Sequence, residues 1–198
     1  MRIVQHAIKW GMLVWVCVLF AQKTLVAVQT GFLILALNAL YCAVLGWMIS
    51  KIKVHNGPKA RSFFITVAHL LWPLLFQVQS DPSLVALLIG QLTLTSGLIL
   101  AVFALTDLGE SFDLLPSKQE VKADGLYRFV RHPIYAAYCL IGLGNATANF
   151  SLLNTAIFIG LLALTVARIR EEEETLVAMP AYQGYRSTVR YRLLPGVY

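Results

Sequence analysis

Two clusters of ionisable and aromatic residues flank an apolar hairpin in the C-terminal half of the sequence. Residues 125–135 read Gly-Leu-Tyr-Arg-Phe-Val-Arg-His-Pro-Ile-Tyr, and residues 168–174 read Arg-Ile-Arg-Glu-Glu-Glu-Glu. Hydrocarbon strongly disfavours ionisable groups, so charges gathered where a chain enters and leaves a membrane mark a candidate site. We therefore expect chemistry at the membrane boundary, between these two clusters.

Local geometry in both clusters supports this expectation. Pro133 restricts His132 to extended or turn geometry and is suited to the first position of a helix. His132 is thus predicted at a helix N-terminus, where backbone donors and the positive end of the helix dipole favour an anionic group. In the second cluster, Glu171 and Glu172 follow Arg168 by three and four residues, so the three side chains share one helical face.

The composition predicts an all-α, polytopic integral membrane bundle. Hydrophobic residues make up 58% of the chain and charged residues 13%, and the mean hydropathy is +0.70, far from the soluble average. A full crossing needs about 20 residues, so we expect five to six transmembrane segments, the last two joined as a hairpin. The apolar runs cover residues 8–21, 25–50, 63–78, 84–106, 134–148 and 152–167.

Basic residues predict the orientation, because they are retained on the cytoplasmic side of a membrane. With both termini in the cytoplasm, every lysine and arginine except Lys23 falls on that side. The net charge of +6 is therefore attributed to topology and to attraction for anionic lipids, and nucleic-acid binding is not expected.

We expect a single membrane domain over residues 1–198, with a helical scaffold at 1–106 and the half that carries the candidate site at 107–198. The loop 107–133 and the tail 168–198 are the sizeable polar segments, and both are predicted on the cytoplasmic side, where they can meet. Asp124 and Gly125 predict a turn in the loop. No histidine or cysteine spacing suggests a metal site.

The C-terminal half resembles the isoprenylcysteine carboxyl methyltransferase family, membrane methyltransferases that use S-adenosylmethionine. The resemblance covers roughly residues 108–195 and combines an Arg-His-Pro-x-Tyr core, a later Glu-rich helix and a closing Tyr-x-x-Tyr before a basic stretch and proline. The residues that carry it are Gly125, Tyr127, Arg131, His132, Pro133, Tyr135, the acids at 171–174, Tyr182, Tyr185 and Pro195.

The resemblance implies two groups of site residues. Arg168 and Glu172 match the basic and acidic residues at the start of a final cytosolic helix, where contact with the reacting groups is implied; four consecutive acids leave the choice among residues 171–174 open. The cofactor-binding group comprises Tyr127, Arg131, His132, Pro133, Tyr135, Glu171, Tyr182 and Tyr185.

The implied reaction is methyl transfer from S-adenosylmethionine to a lipophilic small molecule or lipidated protein, such as the carboxylate of an isoprenylated cysteine. Such a transfer requires alignment and desolvation, and Arg168 would orient a carboxylate through two hydrogen bonds. Three alternatives stay open. They are methylation of a phospholipid amine or thiol, an NADPH-dependent sterol reductase, against which Pro133 and Ile134 count, and a non-catalytic transport or assembly component.

Structural interpretations also stay open for individual residues. Tyr127 and Tyr135 could belong to an interfacial aromatic belt, and Tyr182 and Tyr185 could anchor the tail in the membrane. The acids at 171–174 are commonly a solvated helix surface. A hydrogen-bonded structural role is favoured for His69, although it could also line a substrate route.

Overall fold

The computed structural model describes residues 72–79, 81–108 and 121–198, together with the single residues 43, 65, 68 and 69. The predicted segment 8–21, nearly all of 25–50 and residues 109–120 of the polar loop lie outside this part. Contacts divide the chain into two compact units, Met1–Asn56 and Gly57–Tyr198. Every described residue except residue 43 belongs to the second unit, and the single-domain prediction stays a prediction.

The described part of the chain is helical and contains no strand. Its α-helices are α1 (Leu84–Leu108), α2 (Pro133–Ala148), α3 (Leu152–Leu176) and α4 (Pro180–Thr188), with short 3₁₀ helices at Trp72–Leu75 and Gly125–Arg128. The all-α class is confirmed for these residues. Helices α1 and α3, with 25 residues each, are long and apolar enough to cross a membrane. The total of five to six spans and the cytoplasmic termini stay predictions.

Small residues let α1 and α2 approach each other closely. The buried positions of α1 recur at intervals of three and four along one face and are Gly90, Leu94, Gly97, Leu98, Ala101, Ala104 and Leu105. A Cβ atom on Gly90 would lie 2.6 Å from the carbonyl oxygen of Gly144, and one on Gly97 would lie 2.9 Å from the amide nitrogen of Ile141. Close packing of this kind stabilises helix pairs in membranes, where no hydrophobic force drives helices together.

A tight turn joins α2 and α3 into the predicted hairpin. Asn149 ends α2 through a hydrogen bond from its N–H to the carbonyl of Asn145, and Ser151 caps α3 by accepting from the N–H of Asn154. The buried side chain of Asn154 also accepts from the N–H of Gln77 at 2.9 Å and donates to its carbonyl at 2.8 Å. The segment 72–79 is therefore held against α3.

Helix α3 extends further than the hydropathy predicted. The apolar run ends at residue 167 and a new cytosolic helix was expected from Arg168, but α3 continues without a break to Leu176. Arginine and glutamate are good helix formers, so the helix has no reason to end where the apolar residues do. The consequence is that Arg168 and the four acids are carried on one rigid element.

Candidate active site

Two helix ends and the tail converge on the candidate site. Pro133 occupies the first turn of α2 and His132 is its N-cap residue, as predicted. The last two turns of α3 lie beside this helix start. Their buried charged residues are Arg168, Glu171 and Glu173, whereas Arg170 and Glu174 are exposed. The alternative of a solvated acidic surface therefore applies to Glu174 but not to Glu173.

Glu173 is the centre of a buried charge network. Its Oε1 lies 3.3 Å from Nη1 of Arg131 and 3.3 Å from Nε2 of His132. Its Oε2 accepts from Nε and Nη2 of Arg192 at 3.0 and 2.9 Å, the two-pronged arrangement that gives guanidinium–carboxylate pairs their strength. The anionic group expected near the start of α2 is thus the chain's own Glu173.

The tail runs alongside the Arg-His element and fixes it by main-chain hydrogen bonds. The N–H of Arg131 donates to the carbonyl of Tyr191 and the N–H of His132 to that of Arg192, both at 2.9 Å. Nη2 of Arg131 reaches the carbonyl of Arg190 at 3.3 Å. Residues 190–192 therefore hold His132 in place through both backbone and side chains.

Glu172 belongs to a second group of polar residues, centred on Arg168. The hydroxyl of Tyr135 donates to Oε2 of Glu172 at 2.7 Å, and the same hydroxyl interacts with Arg168. The Arg168 side chain is only 3% exposed, and the charges of Glu171 and Glu172 both act on it. Tyr135 consequently links the two residues for which a catalytic role was implied.

Consecutive acids on α3 therefore serve different partners. Successive residues of an α-helix point about 100° apart, so Glu172 faces Tyr135 of α2 while Glu173 faces His132 at the start of that helix. The structure brings Arg131, His132 and Glu173 together, and Tyr135, Arg168 and Glu172 together. The roles of these residues in catalysis stay predictions.

The three tyrosines of the loop and tail form a buried aromatic cluster. Tyr127, Tyr182 and Tyr185 pack with Val189, and the hydroxyl of Tyr185 donates to the carbonyl of Tyr127 at 2.6 Å. Burial raises the pKa of all three phenols above the ordinary value, so they stay protonated into the alkaline range. Their burial argues against the alternative that these rings are membrane anchors, and Tyr182 also approaches Glu173, at 3.4 Å.

Asp107 fixes the loop that leads to the Arg-His element. Its Oδ2 accepts from the N–H of Leu126 at 2.8 Å, and Gly125 has a φ of +57°. A Cβ atom at Gly125 would collide with the Asp107 carboxylate. A carboxylate is unfavourable at the C-terminal end of a helix such as α1. An aspartate at that position is therefore a sequence signal that its side chain has another role, which here is to hold the loop.

Sequence reasoning missed several residues of the site. Glu173 was one of four equivalent acids, and Arg192 was interpreted only as a topological charge. The hydrogen bond expected for His69 is present, as a buried contact of 3.0 Å with Thr165, and the His69 ring lies 5.7 Å from that of Tyr135. Among the described residues, no three His, Cys, Asp or Glu side chains lie close enough together to hold a metal ion.

Comparison with known proteins agrees with the sequence pattern. The sequence model of the isoprenylcysteine carboxyl methyltransferase (ICMT) family matches residues 86–178, which confirms the resemblance as far as residue 178. The part of the resemblance carried by Tyr182, Tyr185 and Pro195 lies beyond the match and stays a prediction. No curated protein matches the chain. The matched segment contains α2, nearly all of α1 and α3, and both polar groups apart from Arg192. It indicates an integral membrane methyltransferase and does not favour the reductase or non-catalytic alternatives.

Proposed function

We propose that this chain, whose residues 86–178 match the sequence model of the isoprenylcysteine carboxyl methyltransferase family, transfers a methyl group from S-adenosylmethionine to a lipophilic carboxylate at the cytoplasmic membrane surface. The carboxylate of an isoprenylated cysteine, free or on a lipidated protein, is the proposed acceptor. The observation that carries the proposal is the burial of Arg168 beside Tyr135 and Glu172, at the end of the apolar part of α3.

Arg168 is suited to bind the acceptor carboxylate. A guanidinium presents parallel N–H donors that match the two oxygens of a carboxylate, and at 3% exposure water competes little for these donors. The apolar residues of α3 precede Arg168 directly, so a lipid tail attached to the carboxylate would lie along them. Tyr135, Glu171 and Glu172 interact with the guanidinium, so its position is defined before the acceptor binds.

The group formed by Arg131, His132 and Glu173 contains hydrogen-bond donors suited to S-adenosylmethionine. Nε of Arg131 is buried and lacks a hydrogen-bond partner among the described residues, and a buried donor without a partner is costly unless a ligand satisfies it. The methionine carboxylate of the cofactor would provide that acceptor. Tyr127, Pro133, Tyr182 and Tyr185 would shape the same pocket, and Glu171 would face its amino group. When bound, the cofactor supplies an electrophilic methyl group on a cationic sulfur.

The contribution of the protein is alignment in a water-poor setting. Holding the acceptor in line with the donor methyl recovers ~7 kcal/mol or more of the barrier in favourable intramolecular systems. A carboxylate needs no base to act as nucleophile, whereas a protonated amine or a thiol must first lose a proton. Together with the donors of Arg168, which match a carboxylate, this difference favours a carboxylate over the phospholipid amine or thiol as acceptor.

An acceptor panel tests the proposal. Purified protein in detergent micelles is incubated with methyl-labelled S-adenosylmethionine and farnesylcysteine, a phospholipid amine or a small thiol. We expect label in farnesylcysteine alone, as a methyl ester released by alkali. Arg168→Lys should abolish the product, while Arg170→Lys, at an exposed position of the same helix, should not. Label in the amine or thiol would contradict the proposed acceptor, and no transfer to any acceptor would contradict the proposed reaction.

A further inference from the structure

We propose that His69 is a positioning residue for the Tyr135–Arg168–Glu172 group, an inference that rests on the proposed function. His69 precedes the segment matched by the family, and neither the matched segment nor the polar clusters of the sequence include it. Its side chain is buried at 5% exposure and contacts both helices that carry the group.

A directed hydrogen bond connects His69 to α3. Nε2 of His69 lies 3.0 Å from Oγ1 of Thr165, and the Thr165 hydroxyl donates to the carbonyl of Leu161 at 2.8 Å. Because its proton is already used, this hydroxyl accepts from the imidazole N–H, which places the proton of the neutral ring on Nε2. Thr165 precedes Arg168 by three residues and so lies on the same side of the helix.

Ring contacts connect His69 to α2. Its ring centroid lies 5.7 Å from that of Tyr135 in an edge-to-face arrangement at 87°, and 5.1 Å from that of Tyr138 at 53°. At the other end of the Tyr135 side chain, the hydroxyl donates to Glu172. The Tyr135 ring therefore contacts His69 and also His132, whose ring centroid lies 5.6 Å away, while its hydroxyl is held by the acid. These contacts determine where that hydroxyl meets Arg168.

The hydrogen bond is not needed to satisfy Thr165, since its hydroxyl already donates to Leu161. An aliphatic residue in place of His69 would leave no hydroxyl proton unpaired, and interhelical hydrogen bonds contribute little to the stability of membrane helix bundles. A side-chain N–H donor at this position instead fixes the orientation of residue 69 relative to Tyr135, which an aliphatic side chain cannot do. The structure thus assigns His69 a role in geometry at the reacting end of the site.

Three variants separate positioning from packing. In His69→Leu the donor is lost, in His69→Gln an N–H donor is kept, and in Thr165→Val the acceptor is removed while His69 stays. We expect His69→Leu and Thr165→Val to lower kcat for the carboxylate acceptor by about tenfold, as misplacement of reacting groups does, with the KM for S-adenosylmethionine unchanged. The melting temperature should be unchanged in His69→Leu but lower in Thr165→Val, because that variant leaves the buried imidazole N–H without its acceptor. His69→Gln should recover most of kcat.

A second readout does not depend on turnover. A fluorinated tyrosine introduced at position 135 reports its environment by fluorine NMR, and its resonance should broaden in His69→Leu but stay narrow in His69→Gln. The linewidth is compared and not the shift, because both variants lack the imidazole ring beside Tyr135. Wild-type kcat and an unchanged linewidth in His69→Leu would overturn the inference. Equal defects in His69→Leu and His69→Gln, with equal losses of melting temperature, would also overturn it by indicating packing alone. An inactive wild type refutes the proposed function, and the resonance then tests the position of Tyr135 independently.

Discussion

Replacing Glu173 by glutamine should destabilise the protein strongly, because this residue compensates buried positive charge. The side chains of Glu173 and Arg131 are 6% and 5% exposed, and that of His132 is 4% exposed. The amide in Glu173→Gln is nearly the same size and can still accept hydrogen bonds, but it carries no charge. The Arg131 guanidinium would then remain buried without a counterion.

The size of the effect follows from these burials. Removing one partner of a buried ion pair costs about 3–5 kcal/mol. The ion pair between Glu173 and Arg192 contributes less to the free energy of unfolding, because the Arg192 side chain is 28% exposed and solvent screens its charge. We therefore expect Glu173→Gln to lower the free energy of unfolding by about 3 kcal/mol, the lower end of the range for a buried pair.

Glu174→Gln is the matched control, since Glu174 is the next residue of α3 and is exposed. Surface substitutions of this kind change stability by about 0.5 kcal/mol or less. Unfolding of both variants is followed by circular dichroism during denaturant titration in mixed micelles. Equal unfolding free energies for the two variants would refute the reasoning that Glu173 balances buried charge.

Three further predictions concern the loop and the aromatic cluster. Gly125→Ala should lose at least about 1–2 kcal/mol of stability, the cost of a left-handed backbone for a residue with a Cβ, whereas Gly184→Ala, which meets no atom within 4 Å, should lose none in the same unfolding titration. Tyr185→Phe should lose about 1 kcal/mol with its hydrogen bond to Tyr127. Burial raises the pKa of Tyr127, Tyr182 and Tyr185 above the ordinary value of 10.0, so their contribution to stability is complete below pH 10 and is lost as the pH rises further. Wild-type stability measured between pH 7 and 11 should be flat and then fall, less steeply in Tyr185→Phe, and a rise above pH 10 would contradict the burial of these phenols.

Features set by local backbone chemistry could be predicted from the sequence. Pro133 starts α2 and His132 occupies the N-cap position, because proline restricts both positions whatever the rest of the chain does. Asp124 and Gly125 form the expected turn, with Gly125 at positive φ. The hairpin between α2 and α3 likewise follows from a polar break between two apolar runs.

Features set by long-range packing could not be predicted from the sequence. Four consecutive glutamates are equivalent in sequence, and only the placement of α2 against α3 decides that Glu172 meets Tyr135 while Glu173 meets His132. The N–H groups of Arg131 and His132 donate to the tail carbonyls at 191 and 192. These hydrogen bonds join segments far apart in the chain, so no local sequence pattern predicts them. The end of α3 was misjudged because hydropathy records the edge of the apolar run and not the end of the helix.

Two neighbouring groups have separate tasks in the proposed reaction, one binding the cofactor through His132 and one binding the acceptor through Arg168. Direct titration of S-adenosylmethionine into wild type, His132→Ala and Arg168→Ala tests this division, with melting temperatures as a check on folding. We predict that His132→Ala loses cofactor binding and that Arg168→Ala binds it as wild type does while failing to methylate the acceptor. Wild-type cofactor affinity in a folded His132→Ala variant would contradict the account.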